Sequence, residues 1–147
     1  LRLELVVHQF AIKAFKDKKI EVFGGNQYRP FLHVRDAALA IADNIQNSHT
    51  GIFNLNWTNL RMVDLAEEVR RHFPDAEVIR TPQVSQDRRT YRVSSERAQR
   101  ILGFSPKLSV DEGINELKCI LEEGRIKDLS DPRYRNSDYL ATERVAS

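Results

Sequence analysis

Apolar residues at positions 3, 6, 7, 10, 11, 14 and 15 recur every three or four residues, the spacing that gathers side chains on one helical face. The chain is therefore expected to open with a helix over 3–15. Charge at 16–19 ends that pattern, and the alternation of charged and apolar residues over 20–23 predicts a short strand that runs into the turn Gly24-Gly25. A second strand is expected over 31–34. Asp36 then suits the N-cap of a helix, because its carboxylate accepts orphan backbone N–H groups and meets the positive end of the helix dipole. Ala37, Ala38, Ala40, Ile41 and Ile45 would form the packed face of that helix. Ile52, Phe53 and Leu55 predict a third strand leading into the polar turn 56–59, with Asn59 as a cap for the next helix. There Met62, Leu65, Ala66 and Val69 recur at helical spacing up to Phe73, and Pro74 enforces the stop. A fourth short strand follows over 76–79.

Positions 80–91 have no apolar period and concentrate Arg, Asp, Gln and Ser, so they read as a long functional loop. Ser94 or Ser95 caps a short helix ending at Leu102, with Gly103 as its left-handed terminus. Ser109 with Glu112 forms a capping box that starts a helix through Ile114, Leu117, Ile120 and Leu121, stopping at Gly124. Beyond Asp128 the chain turns polar and aperiodic. Strands that alternate with helices define an α/β chain, with one organised portion over 1–127 and a polar C-terminal tail over 128–147.

Composition narrows the chemistry. A chain of 147 residues with 41% hydrophobic content suits a globular domain. The formal charge of +2 and the absence of a basic stripe interleaved with aromatics argue against nucleic-acid binding. Sixteen of the cations are Arg and seven are Lys, and the planar guanidinium fork favours phosphate or carboxylate recognition. The single Cys119 rules out an internal disulfide and a multi-Cys metal site, and its place on an apolar stripe suggests simple packing. No run approaches the roughly 20 apolar residues of a membrane span and the first residues do not form a signal peptide, so a cytoplasmic setting without membrane contact is expected. The chain opens at Leu1 and its one Met, Met62, lies inside an amphipathic segment, which suggests that the start is a cut.

The six glycines, at 24, 25, 51, 103, 113 and 124, never give the GxGxxG spacing that lets backbone N–H groups approach a pyrophosphate. No cofactor site is assigned. Four residues after the four tyrosines stand Leu32, Ser95, Asp138 and Glu143, so no Tyr-x-x-x-Lys pair exists for acid–base work. With no P-loop, HExxH or serine elbow either, the chain taken alone is expected to be catalytically inert. His33 reads as a hydrogen-bonded core histidine, and His8, His49 and His72 lack metal-ligand spacing. What remains is a set for anions. Arg29 lies between a polar turn and Pro30, whose fixed φ limits local freedom, and suits a diphosphate; pairing with Asp36 or capping of a sheet edge is the alternative. Arg88 and Arg89, with Asp87 and Tyr91, form a second cluster, and the two together could clamp one diphosphate from both sides.

In order, the stretches EVFGGNQYRPFLHVRD, FNLN, DRRTYRVS, LGFSP and DEGINEL resemble the C-terminal half of the NAD-dependent sugar-nucleotide epimerases and dehydratases of the extended short-chain dehydrogenase/reductase class. The resemblance covers roughly residues 1–123. It implies a substrate-binding portion with the last elements of a Rossmann sheet, the glycine-rich NAD fold and the Tyr/Lys pair lying in an absent N-terminal part. It also implies that Arg29 contacts the diphosphate of a nucleotide sugar, that Arg88 or Arg89 meets it from the other side, and that Asn59 and Tyr91 contribute. Where the family often has Asn, this chain has His8. Exposed sheet edges and apolar surface would then favour self-association. The alternative is a stand-alone, non-catalytic module for nucleotide sugars or a protein partner.

Overall fold

The computed structural model describes residues 2–82 and 89–135. Its elements in chain order are α1 (Val6–Asp17), β1 (Lys19–Phe23), β2 (Tyr28–Phe31), α2 (Val34–Asn47), β3 (Thr58–Arg61), α3 (Met62–His72), β4 (Glu77–Thr81), α4 (Glu96–Leu102), α5 (Val110–Glu122) and a 3-10 turn over Pro132–Tyr134. β1 pairs with β4, and β2 with β3. The α/β expectation is thus met. The chain forms two compact units, one of residues 1–21, 66–79 and 114–147, the other of 22–65 and 80–113. Each is assembled from separated stretches, so no single linker divides them.

In the first unit the amphipathic spacing of α1 buries Phe10, Ala11 and Ala14, joined in the core by Leu3, Ile20, Ala66, Val69, Phe73, Ala76, Ile114, Leu117 and Leu121. Phe15 meets Phe73 edge-on with ring centroids 6.4 Å apart, an arrangement that the ring quadrupoles favour. The helix starts later than its apolar period suggests, because the Leu3 N–H leaves it to donate to the Tyr134 carbonyl at 2.9 Å. His8 is half-buried and its Nδ1 bonds the Arg2 carbonyl. Burial holds its pKa below the usual imidazole value, partly offset by that carbonyl. Cys119 is half-buried.

The second unit carries the polar architecture. Its apolar core is small, with Val22, Met62, Leu65, Ala98 and Phe104, and it buries three polar residues, Asp36, Asn56 and Ser95. Gly25 sits at φ +92°, with Val22 and Val63 about where a Cβ would go, at 3.2 and 3.3 Å, so the turn out of β1 needs a residue without a side chain. The capping box is present: the Ser109 N–H donates to Glu112 Oε2 at 2.7 Å and the Glu112 N–H to Ser109 Oγ at 3.2 Å. These bonds hold the Glu112 carboxyl below its usual pKa, the backbone contribution leading. Gly103 is left-handed at φ +66°, as expected.

Five expectations need correction. His33, not Asp36, is the N-cap of α2, its Nδ1 accepting from the Arg35 N–H at 3.2 Å. β2 ends at Phe31, before the stretch 31–34 expected as a strand. Asp36 instead lies buried in the first turn, where its two oxygens accept the N–H groups of Lys107 and Leu108 at 3.0 and 2.9 Å; a buried carboxylate needs such donors. Positions 52–55 form no strand, and Asn59 lies within β3 rather than capping α3. Finally, Ile41 and Ile45 of α2 are 64% and 76% exposed rather than packed.

Burial sets the cost of truncation. Leu65 is fully buried while Ile52 is 83% exposed. Leu65→Ala is expected to lower unfolding free energy by about 2–5 kcal/mol, and Ile52→Ala to leave it within about 0.5 kcal/mol, as read by denaturant unfolding.

Candidate functional site

The site is built on β2 of the second unit. β2 runs antiparallel to β3 in the register Tyr28↔Arg61, Arg29↔Leu60, Pro30↔Asn59 and Phe31↔Thr58. Bonds just outside the ladder fix this register, from the Met62 N–H to the Gln27 carbonyl at 3.1 Å and from the Trp57 N–H to the Phe31 carbonyl at 2.8 Å. Backbone groups alternate edges along a strand. Gln27 and Phe31 face β3, so Tyr28 and Pro30 face the other edge, where the missing N–H of Pro30 costs the ladder nothing.

That second edge receives the segment that returns after the long loop. The Tyr28 N–H donates to Thr90 Oγ1 at 3.0 Å, and the Tyr91 N–H reaches the Tyr28 carbonyl at 3.4 Å. Arg29 Nη1 donates to the Tyr28 carbonyl at 2.9 Å and also to the Arg89 carbonyl. The side chains interlock reciprocally: the Arg29 guanidinium lies 5.2 Å from the centre of the Tyr91 ring, and that of Arg92 lies 3.8 Å from the centre of the Tyr28 ring. Each stack places a cation over the negative face of an aromatic ring. The structure therefore brings the Arg29 guanidinium to the Tyr91 ring and to the backbone of Arg89. Arg29 is half-buried, whereas Arg89 and Tyr91 are exposed. Arg88 lies outside the described residues. Of the alternatives for Arg29, Asp36 accepts the amides of Lys107 and Leu108, while the bonds from Arg29 Nη1 to the Tyr28 and Arg89 carbonyls are those of an arginine capping a sheet edge.

Asn59 belongs to the same neighbourhood, but its amide is turned to the chain. Its Oδ1 accepts the Val93 N–H at 2.8 Å and its Nδ2 donates to the Val93 carbonyl at 3.0 Å. Asn56 Nδ2 donates to that same carbonyl at 3.1 Å, and Ser95 Oγ donates to the Asn56 carbonyl at 3.2 Å. Sequence reasoning missed Asn56, Thr90, Arg92 and the backbone of Val93. One signal was available, the repeated Tyr-Arg dipeptide at 28–29 and 91–92.

Gly24 and Gly25 occupy a turn between two strands, and no described glycine lies in a strand-to-helix phosphate loop. Among the described residues no group of three or more His, Cys, Asp or Glu could hold a metal ion, and no helix is long and apolar enough to cross a membrane.

The fold matches that of a portion of an extended short-chain dehydrogenase/reductase of the sugar-nucleotide epimerase/dehydratase type. The sequence-level resemblance is borne out. In sequence the chain is similar to UDP-glucuronic acid decarboxylase 2 of Arabidopsis thaliana, 27% identical over 145 residues that make up 97% of this chain and 32% of that one. It is 30% identical to UDP-glucuronic acid decarboxylase 1 of the same plant over 112 residues, 74% of this chain and 26% of the relative. In structure it matches an NAD-dependent NDP-hexosamine 5,6-dehydratase of tunicamycin biosynthesis with a TM-score of 0.71 at 22% identity, covering 88% of this chain and 43% of that one. A Thermotoga maritima UDP-glucose 4-epimerase solved with UDP-glucose gives 0.68 at 22% identity, with 82% and 40% covered. No family model matches. The chain spans about a third or less of the length of these curated relatives.

Proposed function

We propose that this chain binds the diphosphate of a nucleotide sugar through Arg29, Arg89 and Tyr91, joined by Arg88, as the substrate-binding portion of an NAD-dependent sugar-nucleotide epimerase or dehydratase. The observation that carries this reading is the bond from Arg29 to the Arg89 carbonyl together with the stacking of Arg29 on Tyr91. It draws the two arginine-bearing segments, sixty residues apart in sequence, to one place. A diphosphate presents several acceptor oxygens on two adjacent phosphorus centres, and guanidinium forks approaching from two segments match it better than one could. The ring of Tyr91 holds the Arg29 plane in place, which lowers the ordering cost of binding.

Relatives at this level act on or bind UDP-linked sugars, as their names state, and this supports a nucleotide diphosphate over a free phosphate. NAD would serve the intact enzyme. Its hydride chemistry needs groups that the described residues of this chain do not include, so the chain by itself would bind without turning substrate over. Asn59 contributes through the loop it holds.

A separate reading, self-association, rests on the exposed stripe of α2. Val34, Ile41 and Ile45 recur at intervals of seven and four residues and are 75%, 64% and 76% exposed, an apolar surface of the kind that marks an interface. A second copy of the chain, laid stripe against stripe, would cover it.

Titration calorimetry with UDP-glucose should give saturable binding, NAD should give none, and Arg29→Ala should weaken UDP-glucose at least about tenfold. Equal affinity in the native chain and Arg29→Ala would remove the assignment. For self-association, sedimentation velocity should find a concentration-dependent dimer that the double substitution Ile41→Glu and Ile45→Glu abolishes. A native chain that stays monomeric at all concentrations would dismiss it.

A further inference from the structure

The peptide group of Val93 is held more firmly than a surface loop requires. Its N–H and its carbonyl are both taken by the amide of Asn59, at 2.8 and 3.0 Å, in the pattern by which a neighbouring strand would pair with it. The same carbonyl accepts a further bond from Asn56 at 3.1 Å, which fills both of its lone pairs. Asn56 is only 7% exposed, and with its Nδ2 committed to Val93 its Oδ1 has no hydrogen-bond partner among the described residues. Burying an acceptor in this way is costly. An apolar side chain would fill the position without that cost, so stability alone does not account for an asparagine there.

Val93 lies two residues beyond Tyr91 and four beyond Arg89. At the other end of that stretch, the Thr90 hydroxyl and the Tyr91 N–H tie it to Tyr28 of β2. The stretch is thus fixed at two points: to the strand that carries Arg29, and to the side chains of Asn59 on β3 and of Asn56 just ahead of β3. We infer that Asn59, seconded by Asn56, is a positioning residue for the anion site: by gripping the Val93 peptide it sets how far Arg89 and Tyr91 stand from Arg29, and so sets affinity for the diphosphate without touching it. This rests on the proposed binding of a nucleotide diphosphate. It gives Asn59 a role distinct from the direct substrate contact that the sequence resemblance implied.

Asn59→Asp tests the grip. At pH 7.5 a carboxylate can still accept the Val93 N–H, but it cannot donate to the Val93 carbonyl and it sets negative charge against that oxygen. When protonated, the same group has one O–H donor and one carbonyl acceptor and reproduces the amide pattern. Half-burial and the facing carbonyl favour its neutral form, the Val93 N–H favours its charged form, and the neutral form gains as the pH falls. UDP-glucose suits this test because its diphosphate diester keeps its charge over the range. Binding is followed by calorimetry and by the fluorescence of Trp57, the single tryptophan, which lies between the two asparagines.

At pH 7.5 Asn59→Asp should bind UDP-glucose about tenfold more weakly than the native chain, and at pH 5 it should recover to within about threefold of it. Asn59→Ala should be weak at both pH values. In an Arg89→Ala, Tyr91→Ala background the Asn59 substitution should have little further effect on affinity, because the groups it positions are gone. Equal binding by the native chain and Asn59→Asp at pH 7.5 overturns the inference. So does a loss that does not recover at pH 5, which would mark direct ligand contact or general loss of structure. If the native chain does not bind UDP-glucose, the proposed function fails rather than the grip. The grip then stands or falls on hydrogen-exchange protection of the Val93 amide, which is lost in Asn59→Ala if the grip is real, because the Oδ1 acceptor is gone, and unchanged from the native chain if it is not.

Discussion

A strand has two hydrogen-bonding edges, and the second unit uses both edges of the strand that carries Arg29. One edge is taken by β3 in a register fixed by the flanking bonds of Trp57 and Met62. The other meets the segment 89–93, through the Thr90 hydroxyl and the Tyr91 N–H. Proline at position 30 fits because its missing donor falls on the side where pairing with the returning segment ends. Once both edges are occupied, Arg29 has the Tyr91 ring and the Arg89 carbonyl as neighbours. The position of the guanidinium is then set by backbone pairing and by the Tyr91 ring.

The remaining polar features of this unit serve the same purpose of fixing chain segments. Asp36 caps the two amides ahead of α5, Ser95 bonds the carbonyl of Asn56, and the two asparagines close on Val93. With five buried apolar residues in its core, the unit depends on side-chain-to-backbone bonds where a larger core would depend on packing. Each such bond contributes about 1 kcal/mol net, but leaving a buried partner unmet costs more. These bonds therefore act more through specificity of arrangement than through bulk stability.

Much of this was legible in the sequence, for physical reasons that can be named. Helical period marked α1, α3 and α5, because each buries one face along its length, and the Ser109–Glu112 box marked a helix start through local geometry alone. Arg29 was legible because an arginine between a polar turn and a proline is an unusual combination. The stretch around 52–61 was misread, since apolar content favoured a strand over 52–55 while pairing with β2 placed it at Thr58–Arg61. Asp36 misled for a related reason: a carboxylate near a helix start looks like its cap, yet here its oxygens serve the amides of residues 107 and 108. Contacts between a side chain and a backbone more than thirty residues away, such as Asn59 with Val93, leave no local periodicity to read. The exposed stripe of α2 has the spacing of a packed face, and spacing does not say whether a partner is present.

The central claim is that β2 and the segment 89–93 form one anion-binding face. Its most direct measurement is an NMR titration of the isotopically labelled chain with UDP-glucose. The account predicts saturable shifts confined to the amides of Tyr28, Arg29, Phe31 and residues 89–93 and to the Arg29 and Arg89 side-chain Nε–H groups, with α1 and the C-terminal half of α5 unmoved. Saturable shifts that map to α1 or α5 while these groups stay still would contradict it.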